Sequence, residues 1–115
     1  MIIYGIDRKF RLTVGAYKRI AELLPGGEIE RLGDALTNED PFKIMDMIFN
    51  LAVIMNDQYE RQTEFLDRDY KRNPPLTLAE LETLTLDRVT GQLKDEVMRA
   101  IVDSQKEELP LKKTD

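Results

Sequence analysis

The segment from residue 42 to residue 55 constrains the fold of this chain more than any other. It is apolar throughout except at Lys43, Asp46 and Asn50. At about 100° per residue these three side chains fall on one narrow stripe, so most of the helix circumference is free to pack. An Asp40-Pro41 step precedes the segment and suits a helix start, because Asp accepts hydrogen bonds from free N–H groups and Pro tolerates the first helical position. The pattern predicts a central core helix.

The register of this helix continues beyond Met55, and the sequence leaves its length open. Apolar residues keep helical spacing past Asn56-Asp57-Gln58, as far as the double proline that follows Asn73. One helix over residues 42–72 would extend about 46 Å, whereas a compact chain of this size has a radius of gyration of about 13 Å. Its far end would then project, bend or pack on another subunit. A break near residues 56–58 is the alternative prediction.

The N-terminal residues predict a β-hairpin followed by a helix. We expect a strand over residues 2–4, a turn over residues 5–8 and a second strand over residues 9–12, where apolar and polar side chains alternate. Thr13 is the expected N-cap of a helix that ends at Pro25-Gly26-Gly27. The apolar positions of that helix are Val14, Tyr17, Ile20, Ala21 and Leu24, and those of a shorter amphipathic segment after it are Ile29, Leu32 and Leu36.

Two further helices are predicted after the double proline. Thr77 and Glu80 form a capping-box pattern ahead of leucines at helical spacing. Thr85 predicts the N-cap of a last helix that continues toward Ser104. Gly91 lies inside this last helix, where glycine costs about 1 kcal/mol relative to alanine, and it therefore indicates close packing or a bend.

These elements together predict a mostly α protein of the α+β class, with a short N-terminal β-hairpin and a bundle of about four to five helices around one long central helix. We expect a single domain over residues 1–115. Residues 1–13 form the hairpin, residues 14–104 are helical, and the polar residues 105–115 form a frayed tail.

Composition excludes most catalytic chemistry. The 115 residues include no His and no Cys, which removes imidazole-based triads and the common side-chain ligands of zinc, haem and iron–sulfur clusters. With 22 acidic and 17 basic residues the formal net charge is −5, which disfavours nucleic acid as a partner. The neighbouring carboxylates lie in polar stretches, and such surroundings do not separate two pKa values for acid–base catalysis. We expect no catalytic, cofactor-binding or metal-binding residues and no enzymatic activity.

Hydropathy argues against a membrane partner. The longest unbroken apolar run covers residues 51–55, far fewer than a bilayer-spanning helix needs. The first residues lack the basic and apolar regions of a signal peptide. We expect a cytoplasmic protein.

A second apolar stripe on the long helix is the candidate binding surface. Met47, Ile54 and Phe65 share the side of the helix opposite the core stripe. If no other element covers that side, these three residues form an exposed patch of the kind that marks a protein-binding groove. The alternative is that the C-terminal helices cover it and the residues belong to the core.

Charge is distributed unevenly along the chain. The first 24 residues carry five basic and two acidic side chains, whereas residues 25–60 carry two basic and eight acidic ones. Such an asymmetry favours head-to-tail self-association or an oppositely charged partner. A solvated hairpin surface is the alternative explanation.

Three stretches of the sequence resemble one protein family. They are Phe10-Arg11-Leu12-Thr13-Val14-Gly15-Ala16, the apolar helix from Ile44 to Met55, and Leu76-Thr77-Leu78-Ala79-Glu80-Leu81. In their order the chain resembles the tail assembly chaperones of long-tailed bacteriophages and prophages. In that family a short hairpin ending in a leucine–threonine step leads into a helix, a very apolar helix follows, and a threonine-capped acidic helix precedes a last helix with a polar tail.

The resemblance implies a protein without catalytic residues. Such chaperones bind the tape measure protein, keep its apolar helical segments soluble and help to recruit tail tube subunits, here in the cytoplasm of the bacterial host. Two other functions stay open. One is a structural tail or head–tail connector component that acts by forming a homo-oligomer. The other is a small enzyme with a buried carboxylate or lysine, which would need a deep pocket with converging acidic side chains.

Overall fold

The long apolar segment forms one continuous helix, and the rest of the chain packs around it. The computed structural model describes residues 1–113, and their side chains as far as Ser104. Within these residues a two-stranded antiparallel hairpin, with β1 at Ile2–Ile3 and β2 at Ile6–Asp7, precedes five α-helices. The helices are α1 (Val14–Glu22), α2 (Leu32–Leu36), α3 (Pro41–Leu66), α4 (Leu78–Glu82) and α5 (Lys94–Lys113). The predicted fold class is therefore confirmed, whereas the predicted frayed tail at residues 105–115 lies outside the described side chains.

Helix α3 resolves the question of the central helix. Asp40 caps it as predicted, with its carboxylate accepting a 2.9 Å hydrogen bond from the backbone N–H of Phe42. The helix does not break at residues 56–58, because Asn56 makes its hydrogen bonds with Arg8 and with the carbonyl of Lys9. It ends at Leu66, before residue 72, and Asp67 has extended backbone angles. Its 26 residues run about 39 Å, close to the molecule's longest extent of 43 Å.

The hairpin is shorter than predicted, and the second strand was placed wrongly. Tyr4 and Gly5 both have positive φ angles, 48° and 81°. Two such central residues form the tight turn that matches strand twist, so the chain returns immediately and β2 is Ile6–Asp7. Residues 9–12, predicted as the strand, instead cross α3, where the N–H of Arg11 donates a 3.0 Å hydrogen bond to the Met55 carbonyl.

One side of helix α1 packs closely against α3. The Thr13 hydroxyl accepts a 3.1 Å hydrogen bond from the N–H of Ala16, which confirms the predicted cap. Ala16 and Ile20 are buried, whereas Val14 and Tyr17, which belong to the apolar pattern of the sequence, are exposed. A Cβ atom added to Gly15 would lie 2.6 Å from the Gln58 side chain of α3, so the two helices approach closely at this glycine.

The C-terminal third begins with the predicted capping box. Thr77 accepts a hydrogen bond from the N–H of Glu80, whose carboxylate accepts one from the N–H of Thr77. Thr85 does not form the predicted side-chain cap. Its backbone carbonyl instead accepts the hydrogen bonds of the following turn. Residues Arg88–Leu93 form a π-helical turn before α5. Gly91 lies in this turn with no atom within 4 Å of an added Cβ, so a local widening of the helix, and not close packing, accounts for it.

One apolar core joins the hairpin to α5. Among its buried members are residues of β1, α1, α3, α4, the π-helical turn and α5, whereas α2 contributes partly buried side chains. The N-terminal ammonium of Met1 contacts the Glu96 carboxylate at 3.1 Å, and Ser104 donates a hydrogen bond to the Leu12 carbonyl. The buried apolar residues are Met1, Ile3, Leu12, Ala16, Ile20, Leu24, Ile48, Phe49, Leu51, Ala52, Met55, Leu76, Leu81, Val89, Leu93 and Val97.

Candidate protein-binding groove

An apolar groove lies between the first turns of α3 and the segment that connects α4 to the π-helical turn. It consists of two adjoining hollows of about 400 and 380 Å³. The first is lined by Pro41, Phe42, Ile44, Met45, Ile48, Leu86, Val89, Thr90 and Lys94. The second is lined by Phe42, Met45, Asp46, Phe49, Leu81, Glu82, Leu84, Leu86 and Val89.

Phe42 and Leu86 border both hollows, as do Met45 and Val89. Phe42 is 69% exposed and Leu86 is 62% exposed, although each is a large apolar side chain. The floor below them is formed by the half-buried Met45 and the buried Val89. Methionine adapts its shape to different apolar neighbours, which suits the floor of a binding surface. An exposed apolar pair beside apolar hollows is typical of a protein-binding site.

Helix ends place these residues. The Asp40 cap and Pro41 fix the start of α3, so Phe42 lies in its first turn, where the end of the helix leaves it exposed. Leu86 follows Thr85 at the start of the last helical segment. The π-helical turn then places the buried Val89 against the core. The groove therefore depends on two capped helix starts and on one local irregularity.

The two ends of the groove carry charges of opposite sign. Lys94 borders the first hollow, and Asp46 and Glu82 border the second. The walls between them are apolar apart from Thr90. Such a site can bury apolar side chains and orient them by charge.

The three predicted binding residues lie in two different environments. Met47 and Ile54 are half-buried and pack against the core, whereas Phe65 is 89% exposed. Ile54 lies one turn before Asp57 and Gln58, which contact α1, so N-terminal and not C-terminal elements cover this side. Phe65 lies about 16 Å farther along α3. None of the three lines the groove.

Sequence reasoning missed Phe42 and Leu86. Both were absorbed into apolar patterns that predict core residues, as was Met45. A usable signal was present in the helix-start pattern, because each residue comes within two positions of a predicted N-cap. Side chains in a first helical turn lack a preceding turn to pack against and are often left open.

A buried polar cluster holds the segment that follows α3 against this helix through hydrogen bonds. Both carboxylate oxygens of the buried Glu60 are used, one by the Tyr70 hydroxyl at 2.5 Å and one by the N–H of Asn73 at 2.6 Å. Arg8 is also buried and donates to Asn56 and to the Pro74 carbonyl. Because Glu60 uses both of its oxygens within the chain, this cluster stabilises the packing of the post-α3 segment.

Contacts around α3 shift the pKa values of Tyr70 and Asp57. The hydrogen bond to Glu60, together with burial, raises the pKa of Tyr70 to about 12. For Asp57 burial alone would raise the pKa, but hydrogen bonds from Arg19 and Arg61 outweigh it and hold the pKa below its usual value. Both shifts follow from contacts that hold α1 or the post-α3 segment on α3.

Comparison of the chain with protein-family models, with curated proteins and with solved structures found no match. Among the described residues, the helices are too short or too polar to cross a bilayer. In the same residues no three metal-binding side chains are grouped so that they could hold an ion. The groove and the resemblance in element order are the features that bear on function.

Proposed function

We propose that this protein is a non-enzymatic tail assembly chaperone of a phage or prophage, and that its groove holds an apolar helical segment of the tape measure protein. The observation that carries the proposal is the exposure of Phe42 and Leu86 on the border of two apolar hollows. An amphipathic helix placed in a groove buries its apolar side in this way.

The energetic basis of binding is removal of apolar surface from water. Full burial of one Leu or Phe side chain stabilises by about 1.5–3 kcal/mol. Two client side chains in the hollows, with Phe42 and Leu86 covered at the same time, provide the favourable term that offsets the entropic cost of association. The acidic exterior, with a net charge of −5, keeps the loaded protein from aggregating.

The resemblance in element order supports the choice of client. The resemblance includes an apolar helix and a threonine-capped helix after it, and α3 and α4 have these features. On this proposal the protein acts in the cytoplasm of the bacterial host, and the loaded complex recruits tail tube subunits. The groove supplies a surface for the tape measure segment that the sequence alone placed elsewhere on α3.

Co-expression with the tape measure protein encoded nearby tests the proposal. We expect the wild-type chain to co-purify with this client and to raise its soluble fraction. Phe42→Glu combined with Leu86→Glu should abolish both effects, because charges would enter an apolar site. Val14→Glu is the matched control, since Val14 is an equally exposed apolar residue on α1. Unchanged client solubility with wild-type protein would refute the proposal.

A parallel variant separates the groove from the surface that the sequence predicted. Phe65→Glu removes the one member of the predicted patch that is fully exposed. If the groove holds the client, this variant behaves as wild type in co-purification. Loss of the client with Phe65→Glu, and retention with the groove variant, would move the binding site to the far end of α3.

A further inference from the structure

The groove carries unpaired charges at both ends. Lys94, Asp46 and Glu82 are all exposed. Among residues 1–104, none of these three side chains makes a hydrogen bond or an ion pair within the chain. An apolar site that ends in free charges of opposite sign favours a partner with the opposite charges at matching ends.

The chain itself has these charges in the required order. A two-fold rotation about an axis near Phe42 and Leu86 would bring Lys94 of one copy to Asp46 and Glu82 of the other, and would repeat the contact at the opposite end. The same rotation would bring the exposed Phe42 and Leu86 of the two copies together near the axis. The end charges of the groove are therefore complementary to those of a second groove, and the contact would cover the exposed apolar residues.

We propose that, in the absence of a client, a second copy of this chain occupies the groove and forms an antiparallel two-fold dimer. A two-fold contact uses the same surface on both copies and closes at two subunits, so no free groove remains for further growth. The dimer covers Phe42 and Leu86, the most exposed apolar residues of the site. A client that enters the groove displaces the second copy, so client binding and dimerisation exclude each other.

The contact area of the dimer is small, so we expect weak association. It involves one groove per copy, so we expect reversible association with a dissociation constant on the order of micromolar. Sedimentation equilibrium from about 1 to 300 μM covers this range. The wild-type chain should pass from monomer to dimer across it, with no larger species.

Charge reversal gives the decisive experiment. In the Lys94→Glu variant, acidic side chains face each other at both ends of the dimer. In the Asp46→Lys/Glu82→Lys variant, basic side chains face each other at both ends. Each variant alone should associate at least tenfold more weakly than wild type. An equimolar mixture should form a heterodimer, because attraction is restored at both ends. Circular dichroism spectra and melting temperatures should match wild type, since the three positions are exposed.

Matched controls separate the groove from general charge effects. Lys18→Glu changes the net charge as Lys94→Glu does, but Lys18 lies on α1 outside the groove. It should dimerise as wild type does. Phe42→Ser combined with Leu86→Ser should be monomeric, whereas Val14→Ser should remain a dimer.

Several outcomes would overturn the dimer. A wild-type chain that stays monomeric up to about 300 μM would overturn it. Charge-reversed variants that fail to form a heterodimer when mixed would also overturn it. A ring-sized oligomer would indicate a head-to-tail contact and favour the connector function. Because the co-expression test of client binding does not depend on these results, a monomer that binds the tape measure protein would refute the dimer alone.

Discussion

At the scale of single residues, one helical stripe contains side chains in very different environments. Ile54 packs against the core below α1, whereas Phe65 on the same side of α3 is almost completely exposed. We expect Ile54→Ala to lower the free energy of unfolding by about 1–2 kcal/mol through lost packing. Phe65→Ala should change it by less than about 0.5 kcal/mol. Urea denaturation followed by circular dichroism measures both, and equal losses would contradict the placement.

Tyr70 offers a second test at this scale. Its hydrogen bond to Glu60 raises the pKa of the phenol to about 12, above the value near 10 of an unfolded tyrosine. The stabilisation is thus fully present below pH 10 and is lost as the pH rises toward 12.

Absorbance at 295 nm should show this shift directly. Among the four tyrosines we expect one to ionise last, and Tyr70→Phe to remove that step. Glu60→Gln should return the pKa of Tyr70 toward 10, because the neutral amide no longer stabilises the protonated phenol. An unchanged late step in Glu60→Gln would show that burial, and not the carboxylate, causes the shift.

At the scale of elements, the caps at helix starts determine where several helices begin. Thr77 uses its hydroxyl in a complete capping box, whereas Thr85 contributes its carbonyl. Thr77→Ala should therefore cost about 1 kcal/mol of stability. Thr85→Ala, a chemically identical change at the next helix start, should cost much less. Thermal unfolding distinguishes them, and a larger effect at Thr85 would contradict the described caps.

The π-helical turn is the irregular element of the groove wall. Gly91 has no positive φ angle and no atom within 4 Å of an added Cβ. Gly91→Ala should therefore raise the free energy of unfolding by about 0.5–1 kcal/mol by restricting the unfolded chain. Client binding should not change, because Gly91 does not line the hollows. A lower melting temperature would show that the turn requires glycine.

At the scale of the whole molecule, α3 is the element around which the others pack. Its central turns contain most of the fully buried side chains of the helix, and its last turn is exposed. Native-state hydrogen exchange should therefore be slowest near residues 48–56, where opening requires loss of the core. Exchange should be fast near residues 64–67. Uniform protection along the whole of α3 would contradict this gradient.

Much of the fold followed from the sequence because local chemistry determines it. The caps at Thr13, Asp40 and Thr77 were predicted because a side-chain oxygen satisfies free N–H groups wherever a helix starts. The central helix was predicted because few alternatives can bury so continuous an apolar segment. The hairpin was predicted, but its register was not, because the positive φ angle of Tyr4 is not encoded by residue type alone.

Tertiary structure decided what periodicity cannot, namely which apolar side chains other elements cover. Helical spacing placed Met47, Ile54 and Phe65 on one side, but the approach of α1 covers Ile54 and leaves Phe65 exposed. Phe42 and Leu86 are distant in sequence, and only packing brings them to one groove. The sequence by itself determined the helices and the exclusion of imidazole and thiol chemistry. The binding surface arose from three-dimensional packing, because burial depends on neighbours that sequence periodicity does not identify.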